Sequence, residues 1–246
     1  MTVLQKLADA VRGPLGLRKR RHKFHYEKLD DRFRSAKRLP EPWKDVVTIA
    51  DLRPTDRVLD VGCAEGLIAL EVAKHVAHVQ GIEIEADRVE EARRIAAERK
   101  AANVSFAAGS VVDCPLDPQG YDVVLFLEVL GKPTPTGQVG FPELERLLRV
   151  TRRQIVVRVG LQKNLMAGLG QSISLLDIMT KLDESGFDAV CFARREALNG
   201  NLIIGNRRGT DGRLKKAPPM LLVPTVYQQH HPCLQGVQIG AERDFS

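Results

Sequence analysis

Residues 57–66 constrain the fold of this chain more than any other stretch, and their sequence is RVLDVGCAEG. The apolar run from Arg57 to Val61 contains a single acid and ends abruptly at a turn that holds Gly62 and Gly66. A helical pattern begins directly after this turn. The order predicts a strand, a tight turn and a helix N-terminus, and glycine in such a turn lets backbone N–H groups approach a ligand.

Strand and helix patterns alternate from this turn to about residue 208. Strands are predicted at residues 58–61, 79–84, 104–107, 121–127, 155–159, 187–193 and 201–204. Helical stripes of apolar residues separate most of them, which predicts a parallel sheet with helices on both faces. The loop between the last two strands is too short for a crossover helix, so these strands form a hairpin. The predicted fold is an α/β, doubly wound, mostly parallel seven-stranded sheet with an antiparallel closing hairpin.

The two ends of the chain differ in composition from this alternating region. Residues 1–42 are basic and contain the charged run 18–23, RKRRHK, whereas residues 209–246 are rich in Gly, Pro and Gln. A short amphipathic helix is predicted within residues 3–11. We therefore expect a basic N-terminal extension, an α/β domain over residues 43–208, and an extended Pro/Gly-rich C-terminal arm that packs on the domain or on a partner.

Composition excludes several classes of protein. The 246 residues are 43% hydrophobic, which is enough for a sizeable core, and no apolar stretch has the length of a membrane span. Aromatic residues make up only 5% of the chain, which argues against a base-stacking platform. The four cysteines are scattered, and no second ligand cluster accompanies His230 and His231, so no metal site is predicted. No signal peptide is recognisable, and a cytoplasmic location is expected.

Glu83 narrows the choice of ligand for such a turn. It follows Gly62 by about 20 residues at the end of the second strand, where a carboxylate accepts hydrogen bonds from two adjacent ribose hydroxyls. A dinucleotide site needs a further glycine after Gly66, which this chain lacks. Glu65 at the helix N-terminus would also repel a pyrophosphate, and it suits a cationic or zwitterionic ligand better.

At this point the sequence resembles a known family, the class I S-adenosylmethionine-dependent methyltransferases. Residues 58–66 are similar to the first motif of that family, and residues 81–83 are similar to its acidic motif at the second strand. Residues 103–110 and 121–127 are similar to its third- and fourth-strand motifs. The resemblance covers about residues 43–208 and includes the closing hairpin.

The resemblance implies that S-adenosylmethionine is the cofactor and that it lies at the ends of the first four strands. The residues implied to bind it are Asp60, Gly62, Cys63, Ala64, Glu65, Gly66, Glu83, Ile84, Ser110, Val111 and Leu127. Two of them depart from the family pattern, because Ala64 replaces the usual middle glycine and Ser110 replaces a common aspartate. Ser110 can still accept a hydrogen bond.

The methyl acceptor is expected beside the segment that follows the fourth strand. Glu128 and Lys132 are the candidate catalytic residues there, and Glu128 is the first candidate for a general base. Arg158 lies near the end of the fifth strand and is a further residue that could face the acceptor. The favoured function is O-methylation of a small molecule or of a saccharide- or lipid-linked metabolite.

Two other functions stay open. One is an RNA methyltransferase, acting for example on tRNA, in which the basic run 18–23 grips phosphates. The same run also suits an anionic membrane surface, so peripheral membrane contact is a second use for it. The other function is that of a cofactor-binding accessory or scaffold subunit without turnover, which Ala64, Ser110 and the lack of a histidine after the fourth strand suggest. The sequence leaves the oligomeric state open.

Overall fold

The computed structural model describes residue 46 and residues 49–118, 120–134, 137–159, 175–193, 201–212 and 221–222. All of these belong to the compact unit that runs from Pro40 to Ser246. The other unit, Met1–Leu39, lies outside the described residues, and so do the basic run, the predicted N-terminal helix, and the two histidines of the arm.

The described strands and helices alternate along the chain as the sequence predicts. The strands are β1 (Arg57–Val61), β2 (His78–Glu83), β3 (Val104–Ala108), β4 (Tyr121–Leu127), β5 (Pro133–Thr134), β6 (Gly137–Gln138), β7 (Thr151–Val159), β8 (Phe187–Ala193), β9 (Asn201–Arg207) and β10 (Leu221–Leu222). The helices are α1 (Leu67–Val72), α2 (Ala86–Glu98), α3 (Phe141–Val150) and α4 (Leu175–Glu184). None of the helices in the described part of the chain combines the length and the apolar character that crossing a bilayer requires.

The main sheet has the strand order β10-β8-β9-β7-β4-β1-β2-β3. Neighbouring strands from β7 to β3 are parallel, whereas β9 is antiparallel to both β7 and β8. The predicted doubly wound, mostly parallel fold with an antiparallel closing hairpin is therefore confirmed. The two-residue β10 adds an eighth strand beside β8, and β5 with β6 forms a separate small hairpin that the sequence pattern does not predict.

The centre of the sheet is buried on both faces. Val123 to Phe126 of β4 are fully covered, as are Ile155 to Val157 of β7. This burial explains the uninterrupted apolar sequence of both strands, because helices cover the two faces of a parallel sheet. On one face, Leu144 and Leu147 of α3 join the same apolar cluster as Phe126. The packing holds the carboxyl ends of β4 and its neighbour β1 in fixed positions, and the strand order reverses between these two strands.

A buried polar cluster lies at the other end of the strands, beside the start of β7. Arg153, near the start of β7, donates to the carbonyl and carboxylate oxygens of Asp51 at 2.8 and 2.7 Å, and to Asp56 Oδ2 at 2.6 Å. The backbone N–H of Asp51 donates to Gln154 Oε1 at 2.9 Å, and Arg53 pairs with Asp51 at 2.7 Å. The segment that leads into β1 is thereby attached to the amino end of β7.

We predict that Arg153→Met destabilises the protein by about 3–5 kcal/mol, because it leaves two buried carboxylates without this cation. The measurement is urea unfolding followed by circular dichroism. The matched control is Arg152→Met on the same strand, since Arg152 lies on the surface 3.7 Å from Asp122 and should contribute less than about 1 kcal/mol. Equal losses in the two variants would contradict the assigned role of the buried cluster.

Candidate functional site

The turn between β1 and α1 contains three residues in the left-handed region of backbone space. The φ angles are 71° at Gly62, 49° at Ala64 and 75° at Gly66. Glycine adopts this conformation without steric cost, whereas alanine does so at a cost of about 1–2 kcal/mol. The departure of Ala64 from the family pattern therefore falls at a position where the backbone favours glycine.

The space beside the glycines of this region is occupied by protein side chains. A Cβ at Gly62 would overlap the side chain of Val129, and a Cβ at Gly66 would lie 2.5 Å from Phe106 Cζ. From the sequence, these glycines are expected to permit the close approach of a ligand. The structure adds a different reason for glycine at these positions. Gly62 leaves room for the side chain of Val129, after β4, and Gly66 leaves room for that of Phe106, in β3.

Glu83 connects the end of β2 to the turn after β1. Its Oε2 accepts a hydrogen bond from the Ala64 N–H at 2.9 Å, and its Oε1 accepts one from the Glu85 N–H at 3.2 Å. The residue is only 8% exposed. A carboxylate has about four acceptor sites, so these two bonds orient Glu83 and leave acceptor capacity for a pair of hydroxyls.

Asp60 lies beneath the same turn with one oxygen unsatisfied. The side chain is buried, and its Oδ2 has no hydrogen-bond partner among the described residues. Burial and then the negative charge of Glu83 raise the pKa of Asp60 to about 7, and the backbone of Ala69 offsets only part of this rise. A buried acid with a free oxygen fits a ligand that brings a positive charge, as the ammonium group of a methionine moiety does.

Glu65, which the sequence places at the helix N-terminus, is buried and faces an arginine. The residue is 2% exposed, and its Oε1 lies 4.0 Å from Arg88 Nη1. Its charge is therefore opposed by Arg88 and is not presented to solvent at the helix N-terminus. The neighbouring Cys63 is also buried, and burial raises the pKa of its thiol, so Cys63 acts as a small filler of the turn.

Two exposed apolar side chains mark the ends of β2 and β3. Ile84 is 45% exposed and Val112 is 48% exposed. Ser110 shapes the second position, because its Oγ accepts a hydrogen bond from the Val112 N–H at 2.9 Å. The sequence reading assigned Val111 to the cofactor, but Val111 is buried in the core. The neighbouring Val112 has the exposed side chain, which depends on the turn geometry after Ser110, and Val111 stays a prediction as a cofactor residue.

Glu128 and Arg158 join the carboxyl ends of β4 and β7. The Glu128 N–H donates to the Arg158 carbonyl at 2.8 Å, and Arg158 Nε lies 3.2 Å from Glu128 Oε1. Glu128 also has a left-handed backbone, with φ 58°. The next residue, Val129, packs on Gly62, so this segment directly contacts the glycine turn. The structure therefore brings Glu128 close to the turn.

The other predicted residues of this edge differ in exposure. Leu127, the last residue of β4, is buried. Lys132 is exposed and precedes the β5–β6 hairpin, where its backbone N–H donates to the Val129 carbonyl at 3.0 Å. Within the described ranges, no group of three or more metal-ligating side chains occurs.

The strand order, the left-handed turn and the acid at the end of β2 define a class I, Rossmann-like methyltransferase fold, the class that uses S-adenosylmethionine. A family model described as a methyltransferase domain matches residues 52–194. The chain belongs to this methyltransferase family. The predicted family and cofactor are thereby confirmed, and the residues that hold the cofactor stay predictions.

Curated relatives share only part of their length with this chain. A 23S rRNA (uracil(1939)-C(5))-methyltransferase, RlmD, of Klebsiella pneumoniae is 33% identical over 106 residues, which are 43% of this chain and 24% of the relative. An arsenite methyltransferase of Halobacterium salinarum is 27% identical over 161 residues, which are 60% of this chain and 41% of the relative. The chain thus spans less than half the length of these relatives.

Solved structures support the fold at low sequence identity. The YcgJ protein of Bacillus subtilis has a TM-score of 0.56 at 13% identity, covering 68% of this chain and 98% of its own. The magnesium protoporphyrin IX methyltransferase of Synechocystis, solved with bound SAH, has a TM-score of 0.53 at 18% identity, covering 75% and 97%. At this level of identity, the likeness establishes the fold.

We predict that Ala64→Gly raises the free energy of unfolding by about 1 kcal/mol. The expected gain is the relief of left-handed strain, reduced by the greater flexibility of glycine in the unfolded chain. Urea unfolding measures it. The control is Ala97→Gly on the exposed side of α2, which should lose about 0.5–1 kcal/mol. A loss at both positions would contradict the assigned strain at Ala64.

A second prediction concerns pH. The folded protein keeps the Asp60 proton up to about pH 7, whereas the ordinary pKa of the group is 3.8. In this window the folded state binds more protons than the unfolded state, so stability falls as the pH rises from about 4 to 7. Asp60→Asn removes this titration. Its stability gain over the parent, without cofactor, should therefore grow across the window to at most about 4 kcal/mol and then level off.

The measurement is urea unfolding at half-unit steps from pH 4 to pH 8. Asp113→Asn serves as the control, because it makes the same change at an exposed aspartate. A gain at Asp60 that does not change with pH would mean that this carboxyl does not retain its proton.

Proposed function

We propose that this chain transfers the methyl group of S-adenosylmethionine to an acceptor bound beside the carboxyl ends of β4 and β7. The observation that carries the proposal is the buried Asp60 carboxylate, whose Oδ2 has no partner in the described part of the chain and lies beneath the left-handed turn. A cationic ligand would offset the cost of burying this acid. The sulfonium cofactor of the family brings such a charge together with a ribose.

The residues around the turn suit the separate parts of the cofactor. Gly62, Cys63, Ala64, Glu65 and Gly66 form the turn that would hold the methionine moiety, with Asp60 below it and Leu127 at the end of β4. Glu83 would accept hydrogen bonds from the ribose hydroxyls, since it is already oriented by two backbone N–H groups. The cofactor supplies an activated methyl group, and these residues supply its position and electrostatic environment.

The adenine would lie between the exposed apolar side chains at the ends of β2 and β3. Ile84 and Val112 provide apolar surface for a flat ring. The Ser110 hydroxyl accepts one hydrogen bond from the Val112 N–H and can still donate its own hydrogen. Val111 is buried in the core and would hold the turn after Ser110 in place beneath this apolar surface.

We infer that the acceptor is a small molecule or a saccharide- or lipid-linked metabolite that is methylated on oxygen. Glu128 supports this inference, because a carboxylate at the junction of β4 and β7 can accept a hydrogen bond from a hydroxyl and assist its deprotonation. Lys132 is exposed at the entrance to the same segment and would attract an anionic substituent. The relative named as an arsenite methyltransferase gives a precedent for a small acceptor.

RNA is the second candidate acceptor, and the names of relatives favour it. The Klebsiella relative is named for a uracil of 23S rRNA, and a Listeria monocytogenes relative, 27% identical over 114 residues, is named an uncharacterized RNA methyltransferase. The basic run 18–23 would bind phosphates in this case. Contact of this run with an anionic membrane, and a cytoplasmic location, stay predictions.

We predict that the protein binds S-adenosylmethionine and that Glu83→Gln weakens this binding about tenfold or more. The reason is the loss of charge-assisted hydrogen bonds to the ribose, each contributing roughly 1.5–3 kcal/mol. Calorimetric titration measures the effect. The control is Glu98→Gln, which changes an exposed glutamate near the end of α2. Absence of binding by the parent protein would overturn the proposed function.

The acceptor is tested by transfer of a radiolabelled methyl group into fractionated cell extract. Label in small solutes, glycans or lipids supports the favoured acceptor, and label in RNA supports the second candidate. If Glu83→Gln abolishes the labelling and Glu98→Gln does not, the transfer belongs to this site. Cofactor binding with no label in any fraction would favour the accessory role, which Ala64 and Ser110 suggest from the sequence.

A further inference from the structure

Arg88 closes a ring of contacts around the acid at the end of β2. Its Nε lies 3.2 Å from Glu85 Oε2, and its Nη1 lies 4.0 Å from Glu65 Oε1. Glu85 donates its backbone N–H to one carboxylate oxygen of Glu83, and Ala64, the residue before Glu65, donates its N–H to the other. The ring therefore runs from Glu83 through Glu85, Arg88 and the glycine turn back to Glu83.

Glu65 and Arg88 are largely shielded from water, whereas the Glu85 side chain of this ring is 43% exposed. Glu65 is 2% exposed, and the side chain of Arg88 is 14% exposed. Glu65 Oε1 and Arg88 Nε both lack an aligned hydrogen bond within the described residues. The charges are close enough to attract one another strongly in a poorly solvated region, but the contact at 4.0 Å is loose. Tightening of this contact would draw α2 and the glycine turn together around Glu83.

We propose that Arg88 is a positioning residue that orients the Glu83 carboxylate toward a vicinal diol such as that of ribose. The inference rests on the proposed function, because that proposal assigns Glu83 to the ribose. Arg88 contacts Glu65 and Glu85, which adjoin the two segments that donate hydrogen bonds to Glu83, and its positive charge opposes the negative charge of both glutamates. Without Arg88, mutual repulsion of the carboxylates would move Glu85 and the turn apart, and Glu83 would lose its two orienting N–H groups.

The position of Arg88 on α2 distinguishes this role from general support of the helix. Arg94, on the same helix, pairs with Glu91 and Glu98 on the solvent side and thus provides the usual pairing between successive turns. Arg88 also pairs with Glu85 three residues before it, but in addition it contacts Glu65, which belongs to the turn after β1. Arg94→Met is therefore the matched control, since it removes the same type of side chain from the same helix.

The test compares calorimetric binding of S-adenosylmethionine, which is cationic at sulfur, with binding of S-adenosylhomocysteine, which is not. If Arg88 positions Glu83, Arg88→Met weakens both ligands by a similar factor of about ten, Arg88→Lys recovers part of the loss, and Arg94→Met changes neither. When Arg88→Met is added to Glu83→Gln, it should change the affinity for either ligand little, because Arg88 acts on binding through the contact of Glu83 with the ribose.

Three outcomes would overturn the inference. The first is unchanged binding of both ligands in Arg88→Met. The second is tighter binding of the sulfonium ligand alone, which would show that Arg88 acts only as a repelling charge. The third is full additivity of Arg88→Met and Glu83→Gln.

Hydrogen exchange of the ligand-free protein provides a measurement that does not depend on the proposed function. Arg88→Met should speed exchange of the Ala64 and Glu85 amides about tenfold relative to Arg94→Met, since their acceptor would be less well held. Equal exchange in the two variants would overturn the inference even if the parent protein bound no cofactor. Conversely, cofactor binding without methyl transfer would overturn the proposed transfer and leave this test intact.

Discussion

The hydrogen bond from the Ala64 N–H to Glu83 Oε2 is the interaction on which the rest of the site depends. It joins the turn after β1 to the end of β2, and the Gly62 N–H strengthens the same junction by donating to the Ile82 carbonyl at 2.7 Å. The two strands are parallel neighbours, so their ladder continues into the turn. The position of the turn is therefore set by the sheet, and a loop that is short and tightly curved keeps a defined geometry.

The same junction gathers negative charge where burial makes it costly. Asp60, Glu65 and Glu83 are all buried. Burial and the negative charge of Glu83 raise the pKa of Asp60 to about 7. Such an arrangement opposes folding in the absence of a ligand. A ligand that brings positive charge and hydroxyl donors binds the folded state selectively, and its binding free energy is then added to the stability of the protein.

Much of the fold was predictable because its signals are local. The limits of β4 agree with the apolar run at residues 121–127, and the strand–helix alternation gave the correct sheet class. The short strand β10 lies within the predicted C-terminal arm and pairs with β8, although the domain boundaries themselves stay predictions. The β5–β6 hairpin escaped detection, since strands of two residues have no periodicity that a sequence pattern can reveal.

The candidate site was predictable in its motif residues and not in their contacts. Glu83 was singled out by its spacing from Gly62 and Asp60 by the family resemblance, and both stay predictions as cofactor residues. The pairing of Glu65 with Arg88 joins a turn to a helix residue 23 positions later and has no local signature. Val112 is exposed and Val111 is buried because of the turn in which Ser110 Oγ accepts a hydrogen bond from the Val112 N–H. The packing requirement for glycine at position 62 could not be predicted either. Gly62 leaves room for the side chain of Val129, which is distant in the sequence.

Backbone conformation gives independent support to the position of the site. In the described ranges, the non-glycine residues with positive φ are Ala64, Lys100 and Glu128. Lys100 follows the end of α2, where a left-handed residue commonly terminates a helix. Ala64 and Glu128 have no such role, and they lie at the ends of β1 and β4, where the strand order reverses. Residues are held in such conformations where the surrounding structure fixes them, and functional sites are where this occurs most often. Because Val129 packs on Gly62, the strained segment after β4 also contacts the turn after β1, so a change in this segment would be transmitted to that turn.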